Sequence, residues 1–81
     1  SIIATMERSV YSQKYNKLRA WLKEQRLNQQ LSMRELAAKL DVHHSIVGKI
    51  EQGGRKLDII EFLDYCDALN ADPVEAIRLF R

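Results

Sequence analysis

Three times in this chain a short polar acceptor stands three residues ahead of a glutamate: Ser32 before Glu35, Asp58 before Glu61, and Asp72 before Glu75. Each is the signature of a helix start, in which the leading side chain takes the amide of the third helical residue and the glutamate returns to the leading amide. Pro73 strengthens the last of them, because proline suits the first helical position. Interruptions are scarce: only Gly48, Gly53, Gly54 and Pro73 punctuate 81 residues. An all-β chain would need many more turn residues, so the spacing predicts an all-α fold.

Five helices follow from this punctuation. Residues 11–29 place Tyr11, Tyr15, Leu18, Leu22 and Gln25/Arg26 on one stripe, with Trp21 beside it and Ser9 or Ser12 as cap. Residues 32–40 bury Leu36, Ala37 and Leu40, and Asp41 stands where the helix reverses in left-handed geometry. Residues 43–52 turn Val47 and Ile50 inward, with Val42 as an apolar plug ahead of them and Gly53-Gly54 as the stop. The fourth helix starts at Asp58 and is expected to bury Ile59, Phe62, Leu63, Cys66 and Leu69, and the fifth starts at Asp72. Residues 1–10 read as an N-terminal arm and residues 11–81 as one domain.

Composition narrows the functional classes. Cys66 is the single cysteine, so no intrachain disulfide forms and a reducing, cytoplasmic setting is the simplest expectation. No apolar run approaches the roughly 18 residues that span a bilayer, and the first residues lack the basic front of a signal peptide. Charge is uneven. Residues 1–26 carry six basic groups against two acidic, +4; residues 27–56 carry five against three, +2; residues 57–81 carry two against six, −4. Such asymmetry suits a polyanion on one face, although charge alone is more simply read as solvated helix faces.

Catalytic and metal readings find little support. His43 and His44 are adjacent, so on a helix they diverge by about 100°, and no cysteine or carboxylate completes a ligand set. Cys66 reads as a core thiol without a base in register, and Asp64 and Asp67 as a solvated face. Trp21 and the tyrosines at 11 and 15 read as packing residues. Neither a phosphate-binding glycine loop nor a nucleophile elbow occurs. No enzyme, metal or cofactor is expected.

The segment Leu31-Ser32-Met33-Arg34-Glu35-Leu36-Ala37-Ala38-Lys39-Leu40-Asp41-Val42-His43-His44-Ser45-Ile46-Val47-Gly48-Lys49-Ile50-Glu51-Gln52-Gly53 closely resembles the lambda-repressor-like, Xre-type helix-turn-helix family. The likeness runs back into residues 11–30 and on through Glu75. Leu36-Ala37, Val42, Ile50-Glu51 and Gly53 carry it most specifically, and the whole is similar to small regulators of prophages and mobile elements. The resemblance implies a helix-turn-helix over about residues 33–52, with the 43–52 helix in the DNA major groove.

By that resemblance His44, Ser45 and Lys49 face base edges; their i, i+1, i+5 spacing independently puts them near one helix face. Lys49 would donate to guanine O6 or N7. Met33, Arg34, His43, Gln52, Arg55 and Lys56 match positions that meet phosphate. An ion pair between Arg26 and Glu51 is also implied. The chain departs from the family at three places: Met33 where glutamine is usual, Asp41 where glycine is usual, and Gly48 inside the recognition helix, at a cost of about 1 kcal/mol relative to alanine.

The expected function is a sequence-specific transcriptional regulator, a repressor by preference, acting in the cytoplasm on the nucleoid. The alternatives are an antitoxin that autoregulates its operon and binds a toxin, and a helical protein-interaction module without DNA. The expected partner is a palindromic double-stranded operator bound by a homodimer. Val74, Ile77 and Phe80 on the last helix are the favoured dimer surface, ahead of Ile2, Ile3, Val10 and Tyr11 on the arm.

Overall fold

The structure, a computed structural model, describes residues 11–79, apart from the side chains of Tyr11 and Ser12. The arm, with the Ser9 cap, Ile2, Ile3 and Val10, lies outside the described residues, as does Phe80. Five helices and no strand make up the described residues: α1 Tyr11–Asn28, α2 Met33–Leu40, α3 His44–Gln52, α4 Ile59–Leu69 and α5 Pro73–Leu79. The all-α expectation holds.

Local chemistry sets the boundaries. Ser32 Oγ accepts from the Glu35 amide at 3.0 Å, while Glu35 Oε1 accepts from the Ser32 amide at 3.0 Å. Asp58 and Glu61 repeat the exchange at 2.7 and 3.1 Å. These amide donors hold both glutamates below the ordinary carboxylate range, with the nearby Arg55 adding to the effect at Glu61. The third box does not close in the same way. Asp72 Oδ1 accepts from the Val74 amide at 3.0 Å, one residue nearer than Glu75. An N-cap side chain can satisfy either the second or the third amide, and sequence spacing does not choose between them.

Left-handed residues end three of the helices. Asp41 (φ 57°) closes α2, Gly53 (φ 90°) closes α3 and Asn70 (φ 54°) closes α4. Gln30, also at φ 57°, turns the chain after α1, and the Leu31 amide donates back to the Arg26 carbonyl at 3.1 Å.

Every helix contributes to one core of Trp21, Leu22, Leu36, Ala37, Val47, Ile50, Phe62, Tyr65, Cys66, Leu69 and Ala76. Helix α2 packs on α3 and α4, α1 spans α3 and α4, and α5 closes against α4. Burial lifts the Cys66 thiol to about 11, with Asp67 and Asp72 adding to the shift, as suits a packing residue.

The core differs from expectation at three apolar positions. Ile59 is 63% exposed, and Leu63 and Val42 are each 40% exposed. The buried face of α4 is centred on Phe62, Tyr65, Cys66 and Leu69. Leu63 lies about 110° from that centre, and Ile59 about 70° off it in the opening turn. Tyr65, about 50° off that centre on the opposite side, is buried instead, at 1% exposure, its hydroxyl without a hydrogen-bond partner among the described residues. Leu40, expected inside, is half-buried.

Candidate nucleic-acid interface

Helices α2 and α3 are joined by Asp41, Val42 and His43. The Val42 amide donates to the Ala37 carbonyl at 3.0 Å, which folds the turn back on α2. His43 is the N-cap of α3, not its first residue: its Nδ1 accepts from the Ser45 amide at 3.2 Å and lies 2.8 Å from Ser45 Oγ. The Ser45 amide and hydroxyl thus converge on one ring nitrogen of His43. The Ser45 hydroxyl, with one donor and two lone pairs, can donate to or accept from a base edge.

At about 100° per residue, His44, Gly48, Gln52, Ser45 and Lys49 fall in that order within an arc of about 140°. All but the half-buried Gly48 are exposed, while Val47 and Ile50 are buried on the opposite side. The His44 ring packs on His43, with centroids 4.3 Å apart. Desolvation, reinforced by the charges of Arg34 and His43, pushes the His44 imidazole below its ordinary value. Neutral His44 offers one donor and one acceptor to a base edge.

Arg34 is exposed at the start of α2, whereas Met33 is half-buried and packed against the core. The Met33 side chain is an apolar contact between α2 and α3, so its backbone amide is what it can offer a phosphate. Beyond α3, Arg55 donates to Glu61 Oε2 at 2.7 Å, a half-exposed ion pair; Lys56 is exposed.

Arg26 holds α3 from beneath. Its Nε donates to Glu51 Oε2 at 2.7 Å, one terminal nitrogen to Glu51 Oε1 at 3.0 Å, and the other to the Leu31 carbonyl at 2.8 Å. Arg26 is 6% exposed, and the Glu51 hydrogen bonds hold its proton more tightly despite desolvation. One side chain thus ties α3 to α1 and closes the α1–α2 turn.

Two supporting residues were not legible in advance. The Tyr15 hydroxyl accepts from the Leu57 amide and donates to the Leu57 carbonyl, which pins the loop carrying Arg55 and Lys56. Arg19 lies over the Tyr15 ring, 5.3 Å from its centroid, and its guanidinium would come within 3.1 Å of a Cβ on Gly53. The positive φ is what requires glycine at 53, since the Arg19 guanidinium is the far end of a flexible side chain and gives way readily. Nothing in the sequence separates Arg19 from the other basic residues of α1. No group of three or more His, Cys, Asp or Glu side chains gathers as a metal site among the described residues.

A buried-backed short helix presenting a polar arc, set across a tight turn from a second helix, defines a helix-turn-helix. The helix-turn-helix family profile matches residues 22–75. An XRE-family-like protein from Pseudomonas syringae pv. tomato str. DC3000 superposes with a TM-score of 0.86 at 32% identity, covering 91% of this chain and 90% of that one. A mutant of the restriction-modification controller protein C.Esp1396I shares the fold, with a TM-score of 0.75 at 21% identity over 83% of this chain and 87% of that one. Among curated proteins, none matches the chain. The chain belongs to the Xre-type helix-turn-helix family. It is a DNA-binding transcriptional regulator.

Proposed function

We propose that this regulator is a repressor that acts in the cytoplasm and reads a palindromic operator with α3 in the major groove. The observation that carries the reading is the outward arc of α3. His44, Ser45, Lys49 and Gln52 are exposed while the opposite side is anchored by Val47, Ile50 and the Arg26–Glu51 pair. A helix buried on one side and polar on the other is what base-edge readout needs. Selection of bound sequences from a random DNA library tests it: a recurrent palindrome supports the reading, and the absence of any enriched sequence overturns it.

Arg34, Arg55 and Lys56 flank that arc and are proposed to meet phosphate. Lys56→Ala and Arg55→Ala are expected to weaken binding to all DNA about equally. Each should reduce the magnitude of the log–log salt slope by roughly 0.9 for every phosphate that the variant leaves unneutralised. Titrations of one duplex at several salt concentrations measure this, and an unchanged slope in both variants removes the loop from the interface.

A homodimer is proposed because one short helix reads too few base pairs for useful specificity. Two copies would read half-sites about 34–36 Å apart. Helix α5 supports this, with Val74 and Ile77 about half exposed. Together with Leu18, Leu57 and Phe62, Ile59 and Ile77 border a groove of about 230 Å³. Such apolar exposure on a small domain suits a partner. Sedimentation at micromolar concentration should show a dimer for the native chain and a monomer for Ile77→Glu/Phe80→Glu. A native chain that stays monomeric on its operator refutes the dimer.

A further inference from the structure

We propose that Gly48 and Met33 form an apolar notch that accepts the 5-methyl group of one thymine in each half-site, which makes them specificity determinants at that base pair. This rests on the reading that α3 enters the major groove.

Glycine in a helix interior is a cost that something must offset. The backbone does not require it at position 48, because Gly53 is the glycine with positive φ among the described residues. Internal packing does not require it either. A Cβ added at Gly48 would meet only the Met33 sulfur, at 3.9 Å, an ordinary van der Waals contact. Space is therefore open on the outward side of Gly48, which lies within the arc bounded by His44 and Lys49. A group outside the protein is what the missing side chain would accommodate.

The chemistry of the notch selects that group. Its floor is the Gly48 α-carbon and the Met33 thioether, which are apolar and polarizable and offer no strong donor. Its rim is polar, formed by His44, Ser45 and Lys49. Among the groups that base pairs expose in the major groove, thymine's methyl is the apolar one; the others are hydrogen-bond donors and acceptors. A carbonyl or amino group pressed onto a glycine and a thioether would lose its water without gaining a partner. A methyl group loses nothing there and buries its surface. Glutamine, usual in the family at position 33, would line the notch with an amide; methionine makes it hydrophobic.

Replacement of thymine by uracil removes only the methyl group. With the full chain and the operator recovered by selection, one thymine-to-uracil change per half-site is expected to weaken binding by about fourfold, the scale of one buried methyl. In Gly48→Ala and in Met33→Gln the thymine-to-uracil ratio at that position should fall to about one and stay unchanged elsewhere. Gly48→Ala should melt no lower than the native chain, so its loss of discrimination would not report unfolding. The inference is overturned if no thymine-to-uracil change affects native binding, if the half-site contains no thymine, or if Gly48→Ala keeps the ratio. The preference of the native chain for the selected operator over a scrambled duplex reports separately on groove binding, whose failure would remove both readings.

Discussion

Glu51→Ala is expected to destabilise the fold by about 3–5 kcal/mol. The loss comes less from the ion pair's own worth than from what remains behind. Arg26 stays at 6% exposure, its charge is fixed, and two of its three hydrogen bonds vanish, leaving only the Leu31 carbonyl. A domain of this kind has about 5–15 kcal/mol in total, so the variant would approach the edge of folding. Urea and thermal denaturation give the measurement, and a melting temperature within a degree or two of the native chain would refute the expectation. Arg26→Met/Glu51→Leu should recover much of the loss, because replacing both charges removes the unpaired guanidinium. If the double variant folds and still binds DNA weakly, the pair also sets the angle at which α3 leaves the core.

Lys49→Ala should weaken binding to the selected operator by about 1–3 kcal/mol, roughly fivefold to 150-fold, and relax the preference at one or two base pairs. Lys49 is exposed at the far edge of the α3 arc, and its removal uncovers no core residue. Stability should therefore be unchanged while specificity falls. Parallel titrations of operator and scrambled duplex separate the two roles open to a lysine. A loss confined to the operator marks a base contact, and an equal loss on both marks a phosphate contact only.

The part of the site legible beforehand is the part governed by short-range rules. The α3 arc of His44, Ser45 and Lys49 follows from helical period once Val47 and Ile50 are known to be inside. His43 shows the limit. Its Nδ1 caps the start of α3, and a histidine cap has no spacing signature comparable to a serine or aspartate box. Tyr15 and Leu57 are 42 positions apart, and no local pattern links them. The Arg26–Glu51 pairing was implied by family resemblance alone, since its partners stand 25 positions apart.

Sequence alone determined most of the helix boundaries, because caps, left-handed reversals and glycine stops act over three or four residues. Ser32 with Glu35, Asp58 with Glu61, Asp41 and Gly53 all behave as their chemistry dictates. Only the tertiary structure decided which apolar side chains were used. Val42, Ile59 and Leu63 are as hydrophobic as their buried neighbours, but burial depends on how each helix is rotated against the others. That rotation is a property of the whole packed assembly, as are the seating of Tyr65 in the core and the approach of Met33 to Gly48.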